Sequence, residues 1–248
     1  MSFVRVFSDP EAMAWEIAHQ WYYGAQKASQ KKKIFTVVLS GGATASQVYR
    51  KISSSQWNNK MPWEAVHIFW ADERCVPPEH KESNYFNLQH AFLEELPIPA
   101  ENIHRICGES EPSVESARYE KDILDHLALR NDEQKLFDWV LLGVGSDGHT
   151  ASLFPGEDCL LNTKDICAVV RHPVTGQKRI TLTPYALNRS NRVTYHVVGQ
   201  DKAVIVSDLI PKSESKRFPT GHIEGEWFLD TAASSLLSTS PSLEFYQQ

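Results

Sequence analysis

The stretch 137–156, FDWVLLGVGSDGHTASLFPG, concentrates residues that can perform acid–base chemistry. It begins with an apolar run at 139–142, typical of a buried strand, which breaks into three glycines that let a ligand approach the backbone. Asp147 and His149 stand in this loop, and an imidazole can exchange a proton near neutral pH. Open α/β sheets place active sites at such strand ends, so this interpretation is preferred to a tight turn with a surface histidine.

A second glycine turn, Ser40-Gly41-Gly42-Ala43-Thr44, follows an apolar strand predicted at 34–39 and precedes a helical pattern. Strand, glycine turn and helix form an arrangement typical of phosphate binding, because free N–H groups and the positive end of the helix dipole face the anion. The hydroxyls of Ser40 and Thr44 would add donors. The turn is neither a Walker loop nor GxGxxG, so taken alone it is also typical of an ordinary strand–helix turn.

Three adjacent charges, Asp72, Glu73 and Arg74, follow another apolar strand predicted at 66–70. Charges at the end of a buried strand are costly unless they are paired or used on a ligand, and the planar guanidinium of Arg74 suits an oxyanion. The alternative is an ion pair in a surface loop. Lys202, at a later strand–helix junction, is placed either like a phosphate-binding lysine or like an exposed residue at a helix start.

Strands and helices are predicted to alternate along the chain, and they must position these residues. Strands are predicted at 3–7, 34–39, 66–70, 139–142, 166–170, 178–183, 193–198 and 225–230, with a short edge strand at 103–106. Helices are predicted at 10–30, 45–54, 87–96, 113–129, 203–210 and 231–237, a short one begins at 186–187, and one could start at 150–154. The predicted fold is therefore α/β, with a mostly parallel sheet, helices on both faces, and the three site loops converging at one edge.

Composition limits the class of protein. The 248 residues, 42% of them hydrophobic, suit a single α/β domain over 1–248, in which the polar tail 238–248 is expected to be loose. A net charge of −6 argues against a nucleic-acid partner. The four cysteines form no CxxC pair, and no segment has the apolar length of a signal peptide or a membrane span. We therefore expect a cytoplasmic protein with reduced thiols and no membrane partner, and the sequence is compatible with a monomer.

Four segments, in order and in spacing, resemble the 6-phosphogluconolactonase family: SGGAT at 40–44, DERCVP at 72–77, SNY at 83–85 and LLGVGSDGHTASLFPG at 141–156. The resemblance runs from the first strand to the last helix. It implies a modified doubly wound, Rossmann-like fold without metal or redox cofactor. The implied reaction is the hydrolysis of 6-phospho-D-glucono-1,5-lactone to 6-phosphogluconate, in the oxidative pentose phosphate pathway.

Carried over by position, the resemblance implies a role for particular residues. His149 is similar to the catalytic base, Asp147 to the carboxylate that orients it, and Arg74 to the arginine at the substrate. The implied substrate-binding residues are the phosphate loop, the carboxylate after the third strand and two cations: Ser40, Gly41, Gly42, Thr44, Asp72, Arg179 and Lys202.

Three alternatives were weighed against this interpretation. The related glucosamine-6-phosphate deaminases share the fold and a GxDGH loop, but they usually have Tyr after DE and a segment like IAFNEP after GH, where this chain has Arg74 and TASLFP. A serine hydrolase finds little support, because neither Ser146 nor Ser152 lies in GxSxG. A non-catalytic sugar-phosphate sensor usually carries a separate DNA-binding helix pair, and the sequence has no basic recognition segment.

Lactone hydrolysis needs an activated water, an oxyanion donor and a proton for the departing ring oxygen. His149 would take the proton from water and return it to the leaving alkoxide. Either Asp147 or a backbone carbonyl would hold the tautomer, and either the loop N–H groups or Arg74 would stabilise the oxyanion. The sequence does not decide whether three aromatic residues contact the substrate or only pack: Trp70, Tyr85 and His172. For Trp70, a position in the core is expected.

Overall fold

A parallel sheet lies at the centre of the computed structural model, which describes residues 3–130, 135–156, 158–210, 215–237 and 243–245. The strands are β1 (Val4–Phe7), β2 (Phe35–Leu39), β3 (Val66–Trp70), β4 (Asp72–Arg74), β5 (Ile103–His104), β6 (Trp139–Leu142), β7 (Cys167–Arg171), β8 (Lys178–Leu182), β9 (Val193–Val197), β10 (Glu226–Asp230) and β11 (Leu243–Phe245). Eight of them form the central sheet in the order β11-β1-β10-β9-β6-β2-β3-β5, and every neighbouring pair is parallel.

Helices pack around this sheet, as the predicted α/β class requires. They are α1 (Pro10–Gln30), α2 (Ala43–Ile52), α3 (Ser55–Asn58), α4 (Asn84–Ala91), α5 (Pro112–Arg130), α6 (Pro184–Asn188) and α7 (Ala203–Leu209). The first helix begins where predicted, because the Asp9 carboxylate accepts from the Ala12 N–H and Pro10 holds the first helical position. Ser83 caps α4 in the same way by accepting from the Phe86 N–H. Among the described residues no helix combines the length and apolar character needed to cross a bilayer.

The strand order reverses between β2 and β6. The chain proceeds from β2 to β3 and β5 on one side, and from β6 to β9 and β10 on the other. The helices or loops that follow two such strands diverge, and this opens a crevice at their carboxyl ends where open α/β sheets bind ligands. The two glycine loops singled out in the sequence follow β2 and β6, so the fold places both at this crevice.

A second, antiparallel sheet stands beside the crevice, in the order β4-β8-β7. The predicted strands at 166–170 and 178–183 exist, but they belong to this sheet and not to the parallel one. The charged segment 72–74, expected to be a loop, is itself a strand that pairs with β8. Its pairing fixes the direction in which the charged side chains leave the backbone.

Three sequence expectations about the other elements are wrong. Residues 150–154 form turns and not the start of a helix, because the hydroxyls of Thr150 and Ser152 bond to the Gly143 carbonyl and the Asp72 carboxylate. Residues 231–236 form turns and not a closing helix. Within the tail expected to be loose, β11 pairs with β1.

Candidate active site

A cleft of about 290 Å³ lies at the carboxyl ends of the central strands. Its lining contains eight of the ten predicted site residues: Ser40, Gly41, Gly42, Asp72, Arg74, His149, Arg179 and Lys202. Asp147 does not line the cleft but contacts His149. Thr44 lies in the first turn of α2 and is not part of the lining; its side chain is outside the described structure.

The imidazole of His149 is held by its neighbour Asp147. His149 Nδ1 lies 2.5 Å from Asp147 Oδ1, and the same oxygen accepts from the His149 backbone N–H at 3.1 Å. Burial raises the pKa of Asp147, but the hydrogen bond from the backbone N–H and the charge of the imidazole outweigh it, so the net pKa lies below the ordinary value. Because an ionised carboxylate only accepts, Nδ1 carries a proton, and Nε2 is the ring nitrogen left to exchange one with a ligand or water.

The glycine loop after β6 leaves room for this ring. A Cβ built on Gly145 would lie 2.2 Å from two atoms of the His149 imidazole, so any side chain there would have to displace the ring. Gly148 has φ +80°, a conformation natural to glycine. The backbone N–H groups of Gly145 and Gly148 donate to the carbonyls of His149 and Gly145, at 2.8 and 3.0 Å. The loop is thereby closed on itself, and these two donors are already engaged.

The turn between β2 and α2 also lines the cleft. Gly42, with φ +109°, is the N-cap of α2 and carries no side chain that could satisfy the first N–H groups of the helix. A Cβ on Gly41 would lie 1.9 Å from Asn84 Oδ1, so only glycine fits against α4. Ser40 Oγ is buried and has no hydrogen-bond partner among the described residues. Helix N–H groups, a free hydroxyl and the nearby ammonium of Lys202 suit an anion such as a phosphate.

The floor of the cleft holds a buried carboxylate with several donors. Asp72 Oδ2 accepts from Ser152 Oγ at 2.5 Å, and Asp72 Oδ1 accepts from Asn84 Nδ2 at 3.3 Å. Glu73 points the other way and is not a ligand candidate. Its carboxylate accepts from Ser83 Oγ and from the backbone N–H groups of residues 74, 84 and 85, at 2.7–3.0 Å. Glu73 therefore holds the start of α4 against β4. Its main contacts are these hydrogen bonds, and not the ion pair in a surface loop that the sequence left open.

Two guanidinium groups face the cleft from the small sheet. Arg74 and Arg179 are direct cross-strand partners in the pairing of β4 with β8. Each has a buried Nε without a hydrogen-bond partner among the described residues. Burial and the nearby charge of Arg74 lower the pKa of Arg179. Arg74 donates to the Glu82 carbonyl and Arg179 to Ser152 Oγ, so each guanidinium is held in place, and two adjacent cations in a cleft are typical of a site for an anion.

Sequence reasoning missed two polar residues of the lining, Asn84 and His196. His196 lies on β9, its Nε2 is 3.5 Å from the Tyr49 hydroxyl, and its Nδ1 is buried without a partner among the described residues. Burial lowers the pKa of His196 to about 4, so the ring is neutral. Asn84 stands in the SNY segment, which the sequence did single out, whereas His196 gave no signal inside an apolar strand.

The three aromatic residues left open by the sequence do not line the cleft. Trp70 is fully buried, as expected. The ring of Tyr85 packs against Trp70 with centroids 5.7 Å apart. His172 lies against Phe154, with ring centroids 4.9 Å apart, and Phe154 in turn contacts the His149 ring at 5.1 Å.

Comparisons with known proteins agree with this geometry. Residues 8–229 match the family model described as glucosamine-6-phosphate isomerases/6-phosphogluconolactonase. The chain belongs to this family. Within it, the 6-phosphogluconolactonase of Haemophilus influenzae is 37% identical over 207 residues, 81% of this chain and 87% of that protein. That of a Nostoc species is 37% identical over 210 residues, 82% and 85% of the two chains.

Solved structures of family members share the fold. A structure described as devB protein superposes with a TM-score of 0.87 at 33% identity, over 96% of this chain and all of the other. The 6-phosphogluconolactonase of Thermotoga maritima gives a TM-score of 0.76 at 26% identity, over 92% and 99%. A monomeric glucosamine-6-phosphate deaminase, at 18% identity and a TM-score of 0.79, shares the fold alone.

Proposed function

We propose that this enzyme hydrolyses 6-phospho-D-glucono-1,5-lactone to 6-phospho-D-gluconate, the second step of the oxidative pentose phosphate pathway. The observation that carries the proposal is that one cleft is lined both by a histidine held by a carboxylate and by an uncapped helix start of the kind that suits an anion. Family members that carry this activity in their names are 37% identical over most of their length, which supports the same assignment.

In this proposal, His149 activates the attacking water. Its Nε2 accepts a proton from water as the oxygen attacks C1 of the lactone, and it returns the proton to the ring oxygen when the C–O bond breaks. A positioned base of this kind typically contributes about 10²–10⁴-fold. Asp147 keeps Nδ1 protonated, and it stabilises the imidazolium that forms between the two proton transfers.

The oxyanion that develops at C1 needs a donor, and Arg74 is favoured over the loop backbone. The N–H groups of Gly145 and Gly148 already donate within the loop, whereas Arg74 lines the cleft with a buried Nε free of partners among the described residues. One well-placed donor contributes roughly 3–4 kcal/mol to such a transition state.

The phosphate of the substrate would bind at the start of α2, remote from C1. The N–H groups after Gly42, the Ser40 hydroxyl and the cations Arg179 and Lys202 are its proposed contacts. We also propose that the backbone of Gly41, the Thr44 side chain and Asp72 contribute to substrate binding. Because the phosphate does not change during the reaction, binding it positions the ring against His149.

The direct test is hydrolysis of lactone generated enzymatically, with the spontaneous rate subtracted. We expect His149→Ala to lower kcat by about 10²–10⁴-fold. His90→Ala, an exposed histidine on α4 outside the cleft lining, is the matched control. Hydrolysis by His149→Ala at the wild-type rate would overturn the mechanism, and absence of hydrolysis by the wild type would overturn the function. Ammonia release from glucosamine 6-phosphate, measured in parallel, would instead identify a deaminase.

We further propose that the enzyme acts as a monomeric, single-domain cytoplasmic protein without nucleic-acid or membrane partners. The net charge of −6 supports the absence of a nucleic-acid partner. Light scattering coupled to size exclusion tests the oligomeric state: a mass near 28.1 kDa is expected, and twice that mass would contradict the proposal.

A further inference from the structure

Away from the cleft, three histidines and one aspartate meet between the sheet and α5. His67 lies on β3, His104 on the edge strand β5, and both His126 and Asp122 on α5. His67 and His104 are buried and His126 is half-buried. One ligand atom from each of the three histidines lies within 4.8 Å of those of the other two. None of the four residues lines the cleft, so the cluster is independent of the proposed hydrolysis.

The carboxylate of Asp122 orients two of the three rings. Its Oδ1 lies 3.2 Å from Nδ1 of His104 and 3.2 Å from Nδ1 of His126, and the His126 Nδ1 is also 2.8 Å from the Asp122 carbonyl. All of these oxygens accept, so both Nδ1 atoms carry protons, and Nε2 is the nitrogen of each ring that is left to bind a metal ion. Histidines that bind metals usually donate their other ring N–H to a carboxylate in this manner.

The third ring faces the same space. His67 Nδ1 lies 3.0 Å from His104 Nε2. The ring of His67 thus brings a third nitrogen to the same space as those of His104 and His126.

We propose that His67, His104 and His126 bind a divalent transition-metal ion, Zn²⁺, with Asp122 holding two of the rings and water completing a tetrahedral shell. Ligands at the usual Zn–N distance of about 2.0–2.1 Å lie roughly 3.3 Å apart, close to the spacing of the His67 and His104 nitrogens. The remaining nitrogen must approach by at most roughly 1.5 Å, and the half-buried His126 is the most exposed of the three rings. Three imidazole ligands without a thiolate suit Zn²⁺ better than Mg²⁺ or Ca²⁺.

The site would have a structural role. β5 contains two residues and pairs with β3 alone among the described strands, so its pairing is short. A metal ion bound by β3, β5 and α5 together would tie this edge of the sheet to the helix that covers it. Without metal, the His67–His104 contact is a hydrogen bond between two rings, and titration with the metal distinguishes the two states.

The test uses the full-length protein after treatment with a chelator. Zn²⁺ is titrated at neutral pH by calorimetry, Co²⁺ is added separately as an absorbing probe of tetrahedral coordination, and melting is followed with and without Zn²⁺. We expect one equivalent to bind, and Tm to rise by about 5 °C or more at a hundredfold excess of Zn²⁺ over Kd. His104→Gln and His126→Gln should lose the stoichiometric binding and the Tm shift, and Asp122→Asn should weaken binding about 10–100-fold.

The matched control is His90→Gln, which removes an exposed histidine on α4 and should bind like the wild type. Each Tm shift is measured against the same variant without metal, so a general loss of stability does not imitate loss of the site. Absence of stoichiometric binding to the wild type would overturn the proposal. Binding retained by both His104→Gln and His126→Gln, or lost equally by His90→Gln, would also overturn it.

Discussion

Arg74 and Arg179 lie directly opposite one another in the antiparallel pairing of β4 with β8, and both line the cleft. Like charges at directly opposed positions destabilise a sheet. The protein therefore maintains at this position an arrangement that costs stability in the absence of an anion. Substrate binding and fold stability therefore make opposite demands at this pair, and both effects can be measured.

Substitution of Arg179 should affect activity and stability in opposite directions. Arg179→Gln removes a proposed charged contact to the substrate, of a kind worth roughly 1.5–3 kcal/mol, so kcat/KM should fall by about 10–100-fold. Removal of the repulsion should leave the free energy of unfolding unchanged or raise it by about 0.5 kcal/mol. Steady-state kinetics and urea denaturation measure the two effects. Arg171→Gln, on β7 outside the cleft lining, is the control, and a parallel loss of activity there would contradict the explanation.

Gly145→Ala should displace the catalytic imidazole, because the new Cβ would lie 2.2 Å from the His149 ring. We expect kcat to fall by up to the full contribution of the base, about 10²–10⁴-fold, with a smaller change in KM. Gly143→Ala is the matched control, since a Cβ there meets no atom within 4 Å, and its kcat should fall much less. Equal losses in the two variants would show that loop flexibility, and not ring position, explains the effect.

Asp147→Asn tests how the imidazole is oriented and gives a pH signature. Because the pKa of Asp147 is lowered in the folded state, its ionised form stabilises the fold above the ordinary value of 3.8, and that contribution disappears as pH falls through the folded-state pKa. Wild type should thus be more stable than Asp147→Asn near neutral pH, and the difference should shrink below about pH 4. Urea denaturation at several pH values measures it. A difference that grows on acidification would have the wrong sign.

Ser152→Ala addresses the buried carboxylate and the serine-nucleophile alternative together. Loss of the 2.5 Å hydrogen bond to Asp72 should lower the free energy of unfolding by about 1–3 kcal/mol. Since the proposed mechanism has no serine nucleophile, kcat should stay within about tenfold of wild type, far from the loss expected at His149. Ser207→Ala, an exposed serine on α7, is the stability control. Abolished turnover in a folded Ser152→Ala protein would favour a covalent route.

Lys202→Met should weaken recognition of the phosphate. Lys202 lines the cleft, and its nearest acidic oxygen, on Asp201, is 4.0 Å away, so the ammonium is available to a ligand. KM for the phosphorylated lactone should rise about tenfold or more, and the preference over unphosphorylated gluconolactone should shrink by a similar factor. Lys121→Met, an exposed lysine on α5, is the control. An unchanged preference for the phosphorylated lactone would remove Lys202 from the phosphate site.

Local signals explain what the sequence predicted well. The start of α1 followed from Asp9 and Pro10, which fix it without reference to the rest of the chain. The contact of Asp147 with His149 was foreseeable for the same reason, because the residues are two positions apart. The predicted convergence of the glycine loops is confirmed, since it depends only on parallel strands sharing an edge.

The errors came from contacts between distant segments. Residues 150–154 have an acceptable helical sequence, but the bond from Ser152 to Asp72 holds them in turns. The assignment of 72–74 to a strand depends on pairing with β8, a partner that periodicity in either segment does not identify. His196 entered the cleft lining for a similar reason, because its depth in β9 is set by the neighbouring strands.

The position of β1 has a consequence for folding on the ribosome. Among the described strands, β1 pairs with β10 and β11 alone, and both lie near the other end of the sequence. Its backbone hydrogen bonds therefore have to wait until β10 and β11 have emerged, although β1 is synthesised long before them. Contacts so far apart in sequence slow folding and leave an unpaired strand exposed in the nascent chain.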